Sequence, residues 1–196
     1  MSNLENLEKK INSELGTKIK NSEIRHDQIY ITISSEDLSN VTAFLKTNIN
    51  TKFKQLIDIT AVDYPENQNR FKMVYLFLSH ELNQRIVLHF FINENQQVLS
   101  LTKIFPSANW MEREIFDMYG IKFTEHPDLR RILTDYGFDG HPLRKDFPLT
   151  GHKEVRYSEV EKKVIYETVK LEQNYRNFDY ESPWEGTEYI KEQIKK

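Results

Sequence analysis

Residues 106–151 read PSANWMEREIFDMYGIKFTEHPDLRRILTDYGFDGHPLRKDFPLTG, and this stretch divides the chain into two unlike parts. Ahead of it lie apolar runs with helix and strand periodicity. Behind it lies a polar tail with scattered aromatics. Inside it, Ser107 after Pro106 is a candidate N-cap, Gly120 a helix stop, and Met111, Ile115, Met118 and Tyr119 fall on one stripe. The spacing predicts a helix over 107–119. Arg113 and Asp117 lie one turn apart, so an ion pair on a solvated helix face is expected, worth ~0.3–0.5 kcal/mol. Glu114 shares that face with Asp117, and with His126 the two carboxylates are the one set that resembles an acid–base pair or a divalent-metal site.

Working outward toward the start, Leu4, Leu7, Ile11 and Leu15 before Gly16 predict a helix over 3–15. Alternating Ile29, Ile31 and Ile33 predict a strand over 28–34. Ser34 or Ser35 is expected to cap a helix with the buried stripe Leu38, Val41, Phe44 and Leu45. Residues 55–62 read as a strand, and the apolar runs 71–78 and 85–92 as an antiparallel hairpin of central strands. His89 lies inside that run and is expected to be a satisfied core residue. The pattern gives an α+β fold: a two-layer unit with helices on one face of a mixed, mostly antiparallel sheet. It is followed by an extended irregular C-terminal tail. The expected organisation is a core domain over 1–120, a specified loop region packed on it over 121–151, and a partner-binding tail over 152–196. The tail offers one strand, over 163–166, and carries Tyr175, Phe178, Tyr180 and Trp184 without a core of its own, which fits wrapping a partner.

Bulk composition narrows the function. A chain of 196 residues with 38% hydrophobic and 12% aromatic content suits one domain plus an extension. A formal net charge of −3 argues against a nucleic-acid binder that works by phosphate neutralisation. No cysteine is present, which removes thiol catalysis, disulfides, zinc–thiolate sites and the usual ligation of iron–sulfur clusters. The first residues, MSNLENLEKKINSEL, have neither a signal-peptide h-region nor the arginines of a transit peptide. No run reaches the ~20 apolar residues that span a bilayer. A soluble chain, peripheral to any membrane, is expected, and the sequon at Asn40 is idle.

From Gly120 to Gly151 the chain carries three prolines and four glycines, a specified backbone rather than a linker. His126-Pro127 turns the chain into Asp128-Leu129-Arg130-Arg131, whose adjacent arginines must face different ways. Arg144 and Lys145 follow a glycine-punctuated loop. Enzymatic templates fail here. A zinc set of His126, Asp128, Asp139 and His141 has no compact ligand spacing. No phosphate-binding glycine pattern opens a helix, and no serine sits in a nucleophile elbow. The basic residues are diluted by Asp128, Asp139 and Asp146, so a protein interface fits better than RNA.

Glu112-Arg113-Glu114, Asp117-Met118-Tyr119-Gly120-Ile121, His126-Pro127, Leu129-Arg130-Arg131-Ile132-Leu133 and Gly140-His141-Pro142-Leu143-Arg144-Lys145-Asp146-Phe147-Pro148-Leu149 together resemble one family. It is the 30 kDa subunit, or C subunit, of the proton-pumping NADH:quinone oxidoreductase, respiratory complex I. Arg176-Asn177-Phe178-Asp179-Tyr180 and Ser182-Pro183-Trp184-Glu185-Gly186 resemble its mitochondrial and alphaproteobacterial branch. The resemblance covers roughly 54–186. It implies a non-catalytic member of the peripheral arm that scaffolds electron transfer from NADH to ubiquinone, coupled to proton translocation. FMN and iron–sulfur clusters would sit in partner chains and none in this one. The partners implied are the large quinone-site subunit and neighbouring iron–sulfur subunits, at the mitochondrial inner membrane on the matrix side or at the cytoplasmic side of a bacterial inner membrane. No catalytic, cofactor or metal residue is expected. Arg130, Arg131, Arg144, Lys145, Asp146, Tyr175, Phe178 and Trp184 are the expected interface residues, with Glu112, Arg113, Glu114 and Asp117 as the signature helix. The competing readings are a free-standing metal enzyme built on Glu114, Asp117 and His126, and the equivalent member of a membrane-bound hydrogenase or of the photosynthetic relative.

Overall fold

The computed structural model describes residues 3–171 and residue 173. The chain forms two units, Met1–Leu149 and Thr150–Lys196.

In the first unit, helix α1 (Asn3–Leu15) places Leu4, Leu7, Ile11 and Leu15 on one buried stripe. A short 3-10 turn leads into β1 (Ile19–Arg25) and β2 (Gln28–Ile33), joined by His26 and Asp27. Both turn residues have positive φ, 49° and 56°, the geometry of a primed two-residue turn that matches strand twist. Another 3-10 turn precedes α2 (Leu38–Thr47), which buries Leu38, Val41 and Leu45. Next come β3 (Gln55–Asp63), β4 (Phe71–Ser79), β5 (Gln84–Ile92), β6 (Val98–Leu99), α3 (Ala108–Tyr119) and β7 (Phe123–Thr124).

Five strands order as β1-β2-β5-β4-β3, all pairs antiparallel except β2 with β5. The sheet is therefore mixed, as expected. Period-two alternation sends Phe71, Met73, Tyr75 and Phe77 of β4, with Ile86, Leu88, Phe90 and Ile92 of β5, into one apolar cluster. The buried stripes of all three helices join the same cluster, so the helices occupy one face of the sheet. Phe71 meets Tyr119 of α3 edge-on at 6.3 Å, which fixes α3 over the end of β4.

Strand β1 is not foreseen by the periodicity. Its side chains are mostly polar because it is an edge strand, and its inward Ser22 is held by Asn12 and Glu8 of α1, each at 2.7 Å. Neither serine cap forms. Ser34 precedes a 3-10 turn without a side-chain bond, and Ser107 itself has helical dihedrals (φ −61°, ψ −25°), so its hydroxyl cannot reach forward. His89 also departs from expectation. It lies on the face away from the helices, its Nε2 is 3.1 Å from Thr32 Oγ1, and its Nδ1 is buried with no hydrogen-bond partner among the described residues.

In the second unit, β8 (Lys153–Ser158) and β9 (Lys163–Thr168) form an antiparallel hairpin. The single strand read at 163–166 is thus the second arm of a pair. The first arm, with its charges and lone Val155, gave no strand periodicity. Arg156 grips Glu167 with two bonds, at 2.8 and 2.6 Å, across the pair. Tyr175, Phe178 and Trp184 lie outside the described residues.

Candidate partner-docking site

The site is the junction of α3 with the loop over 126–148, and it is built on two carboxylates that α3 buries. Ala108, Glu112, Ile115 and Tyr119 share one helical stripe, which carries Glu112 under the sheet. Its carboxylate accepts the Leu101 amide at 2.7 Å and the Ser100 hydroxyl at 2.6 Å. Burial pushes its pKa up to about 7, and those two donors only partly offset the desolvation. His126 stands beside it, Nε2 3.9 Å from Glu112 Oε2. That Nε2 bonds the Asn109 carbonyl at 3.1 Å while Nδ1 receives the Asp128 amide at 3.1 Å. These bonds fix the imidazole with its proton on Nε2.

Asp117 is the second carboxylate, and here the expectation of a solvated face with an Arg113–Asp117 ion pair is overturned. Asp117 is fully buried. Its Oδ2 accepts three consecutive amides, Ile132 at 3.0 Å, Leu133 at 2.7 Å and Thr134 at 2.8 Å. Its Oδ1 accepts the Thr134 hydroxyl at 2.6 Å and Arg131 Nη1 at 2.9 Å. Burial acts to raise this pKa, but the bonds from Thr134, Leu133 and Ile132 outweigh it and hold the group well below the usual aspartate range. Arg113 turns elsewhere, to the carbonyls of Arg130 at 3.0 Å and Arg131 at 3.2 Å, with its guanidinium over Trp110. The physical reason is saturation. Five donors from the loop surround Asp117, and an intrahelical arginine could not match them.

The loop also closes the end of α3. Gly120, at φ 80°, terminates the helix, and the orphaned carbonyls find loop donors: His141 Nδ1 to Asp117 O at 2.9 Å and the Leu143 amide to Met118 O at 3.0 Å. A Cβ on Gly120 would sit 2.7 Å from His141 Nε2, so this close approach needs glycine. Arg131 extends the tie by donating Nη1 and Nη2 to Gly140 O, each at 3.0 Å.

A second node anchors the far end of the loop. Buried Asp63, last residue of β3, takes a bidentate grip from Arg70 at 2.6 and 2.8 Å and the Lys145 amide at 2.7 Å. The Arg70 bond is the main reason its pKa is lowered. Arg70 also pairs with Asp146 at 3.0 Å. Arg144 pairs with Glu94, reaches Asp146 at 3.4 Å and stacks on Phe71 at 5.6 Å.

The expected interface residues therefore separate. Arg131 and Arg144 are directed into the chain itself. Arg130 is exposed, 2.8 Å from Asp128, and Lys145 and Asp146 are exposed beside the Asp63 node. Leu133 and Tyr136 are apolar and outward, Tyr136 completely so. The metal reading dissolves: Glu114 faces solvent, while Asp117 and His126 are engaged as described. Among the described residues no group of three His, Cys, Asp or Glu is placed to hold a metal. Sequence reasoning missed Asp63, Arg70 and Glu94, whose partners are distant in the chain. Glu112 alone left a legible sign, its place on the apolar stripe.

Comparison with known proteins matches residues 31–153 to the family described as "Respiratory-chain NADH dehydrogenase, 30 Kd subunit". A protein named as the C subunit of NADH-quinone oxidoreductase, from Ruegeria sp. (strain TM1040), is 55% identical over 168 residues, 86% of this chain and 84% of that one. One of the same name from Dinoroseobacter shibae is 57% identical over 169 residues, covering 86% and 79%. The one from Sinorhizobium medicae is 52% identical over 175 residues, covering 89% and 87%. In structure, a chain of an archaeal membrane-bound sulfane sulfur reductase complex shares the fold, with TM-score 0.65 and 21% identity over 74% of this chain and 85% of that one. The matched span includes both buried carboxylates, the loop they hold and the Asp63 node, and the chain belongs to the family of the respiratory-chain NADH dehydrogenase 30 kDa subunit, the C subunit of NADH-quinone oxidoreductase.

Proposed function

We propose that this chain is a rigid, non-catalytic adaptor in the peripheral arm of an NADH-quinone oxidoreductase. It holds the large quinone-site subunit and neighbouring iron–sulfur subunits at fixed separation while electrons pass from NADH to quinone. FMN and iron–sulfur clusters belong to those partner chains. The bacterial origin of the relatives favours the cytoplasmic side of a bacterial inner membrane, reached through the assembly. No helix among the described residues is long and apolar enough to cross a membrane.

The observation that carries this reading is the saturation of Asp117. A carboxylate receiving three backbone amides, a hydroxyl and an arginine is suited to fixing a shape. The shape so fixed presents Leu133, Tyr136 and Arg130 outward on irregular but immobilised backbone, and tyrosine and arginine are the residue types enriched at interface hot spots. A preorganised loop gains affinity because little conformational entropy is lost on docking. The test is a gentle detergent extraction of native membranes with a tagged copy of the chain. Recovery of a large assembly containing flavin and iron and oxidising NADH supports the adaptor reading. Recovery of the chain alone overturns it.

A further inference from the structure

The helices cover one face of the five-stranded sheet, and the outer face is not composed like a solvated one. A sheet with one face in water carries polar residues at alternate positions. Here the outward positions of β4 are Lys72, Val74, Leu76 and Leu78, and those of β5 are Arg85, Val87, His89 and Phe91. Register places Leu76 opposite Val87 and Val74 opposite His89, and Tyr30 of β2 lies alongside Val87. Val87 is only 7% exposed although its neighbours Ile86 and Leu88 fill the core on the opposite side. Phe91 is 42% exposed. The flanking strands turn mostly polar, with Asn21, Glu23 and Arg25 on β1 and Asp58 and Thr60 beside exposed Val62 on β3. An apolar centre with a polar rim marks a docking surface.

We propose that this outer sheet face is a second docking surface, distinct from the α3–loop junction, and that its occupant is an apolar face of another subunit edged by carboxylates. Charge on the rim selects that chemistry. Glu23 is already bound by Arg25 at 2.8 Å, and Asp58 accepts its neighbouring Ile59 amide at 2.8 Å. Lys72, lying over the Phe91 ring at 5.8 Å, exposed Arg85 and Arg25 outnumber Glu23 and Asp58, so the face keeps a net positive charge. A flat array of Val and Leu side chains standing off paired strands offers shallow, continuous complementarity to a protein surface. The inference rests on the reading that the chain works inside a multisubunit assembly. It adds that the chain is gripped on two sides.

Hydroxyl-radical footprinting of Tyr30, Leu76 and Phe91, compared between the isolated full-length chain and the extracted assembly, tests it. The expected result is strong labelling of the isolated chain and loss of labelling in the assembly. Arg85→Glu is expected to restore labelling in material that still co-purifies through the loop junction. Protection already present in the isolated chain at low concentration would assign the face to the chain's own remaining residues, and protection that grows with concentration would assign it to a second copy. Protection induced by anionic vesicles would assign it to lipid. Each of these overturns the proposal, as does full labelling within an intact assembly. If the chain extracts alone, the assembly reading fails first, so the two failures are distinguishable.

Discussion

Replacing Asp117 with asparagine keeps the volume of the side chain but removes its charge and turns one acceptor into a donor. Oδ2 can still receive the amides of Ile132, Leu133 and Thr134. The new amide nitrogen then faces Arg131 Nη1 and the Thr134 hydroxyl at what were 2.9 and 2.6 Å bonds. Thr134 can rotate and accept, but Arg131 cannot, and its charge is left with the carbonyl of Gly140 and the Thr134 hydroxyl. Breaking one partner of a buried pair costs about 3–5 kcal/mol, and Arg131 is partly exposed, so about 3 kcal/mol is expected. For a unit of this size that is a fall in melting temperature of roughly 6–12 °C. Amides of residues 132–134 should exchange faster than the rest of the first unit. The pH dependence carries a sign. Asp117 titrates below the ordinary aspartate value of 3.8, so the unfolded chain takes up the proton first. The stabilisation is complete above 3.8 and is lost as pH falls through the lower, folded value. Asp117→Asn should therefore remove acid-side sensitivity that the wild type shows. A melting shift under about 2 °C with unchanged exchange at 132–134 would refute the argument that Asp117 organises the loop.

Glu112 predicts the opposite slope. The folded chain keeps its proton between the ordinary 4.5 and about 7, so its contribution is full below 4.5 and declines as pH rises through about 7. Glu112→Gln should flatten a wild-type change of about 3 kcal/mol across that window, read by denaturant titration at several pH values. Gly140→Ala should destabilise more than Gly137→Ala. Both have positive φ, 98° and 73°, but a Cβ on Gly140 lies 2.6 Å from the Phe147 ring, whereas Gly137 faces open space. Thermal melts should show about 1–2 kcal/mol for Gly137→Ala and a larger loss for Gly140→Ala. Arg144→Ala should leave the isolated chain folded, because Arg70 still grips Asp63, but it frees the loop end that Arg144 ties to Glu94 and should thereby lower the yield of assembled complex on native gels.

All three helices and strand β2 could be read from the sequence because each has an apolar set at one clean period, and β3, β4 and β5 because each is an apolar-rich run of strand length. Strand β1 could not. It is polar at an edge, and its inward Ser22 is satisfied by α1 rather than by burial among apolar neighbours. The loop's importance was legible in its density of glycine, proline and charge, but its geometry was not. Asp117 and Arg113 sit one turn apart, so local rules favour their pairing, and only the return of the chain at 132–134 redirects both. Asp63 shows the same limit, since the Lys145 amide it holds is far away in sequence.

The most direct test of the central claim counts complexes and turnover separately. Membranes from cells carrying either the wild-type chain or Asp117→Asn would be assayed for assembled complex, by flavin content of the native-gel band, and for NADH–quinone reductase activity per flavin. A structural adaptor predicts fewer complexes, each with wild-type turnover. An undiminished number of complexes with reduced turnover per flavin would contradict the account and place this chain in the chemistry itself.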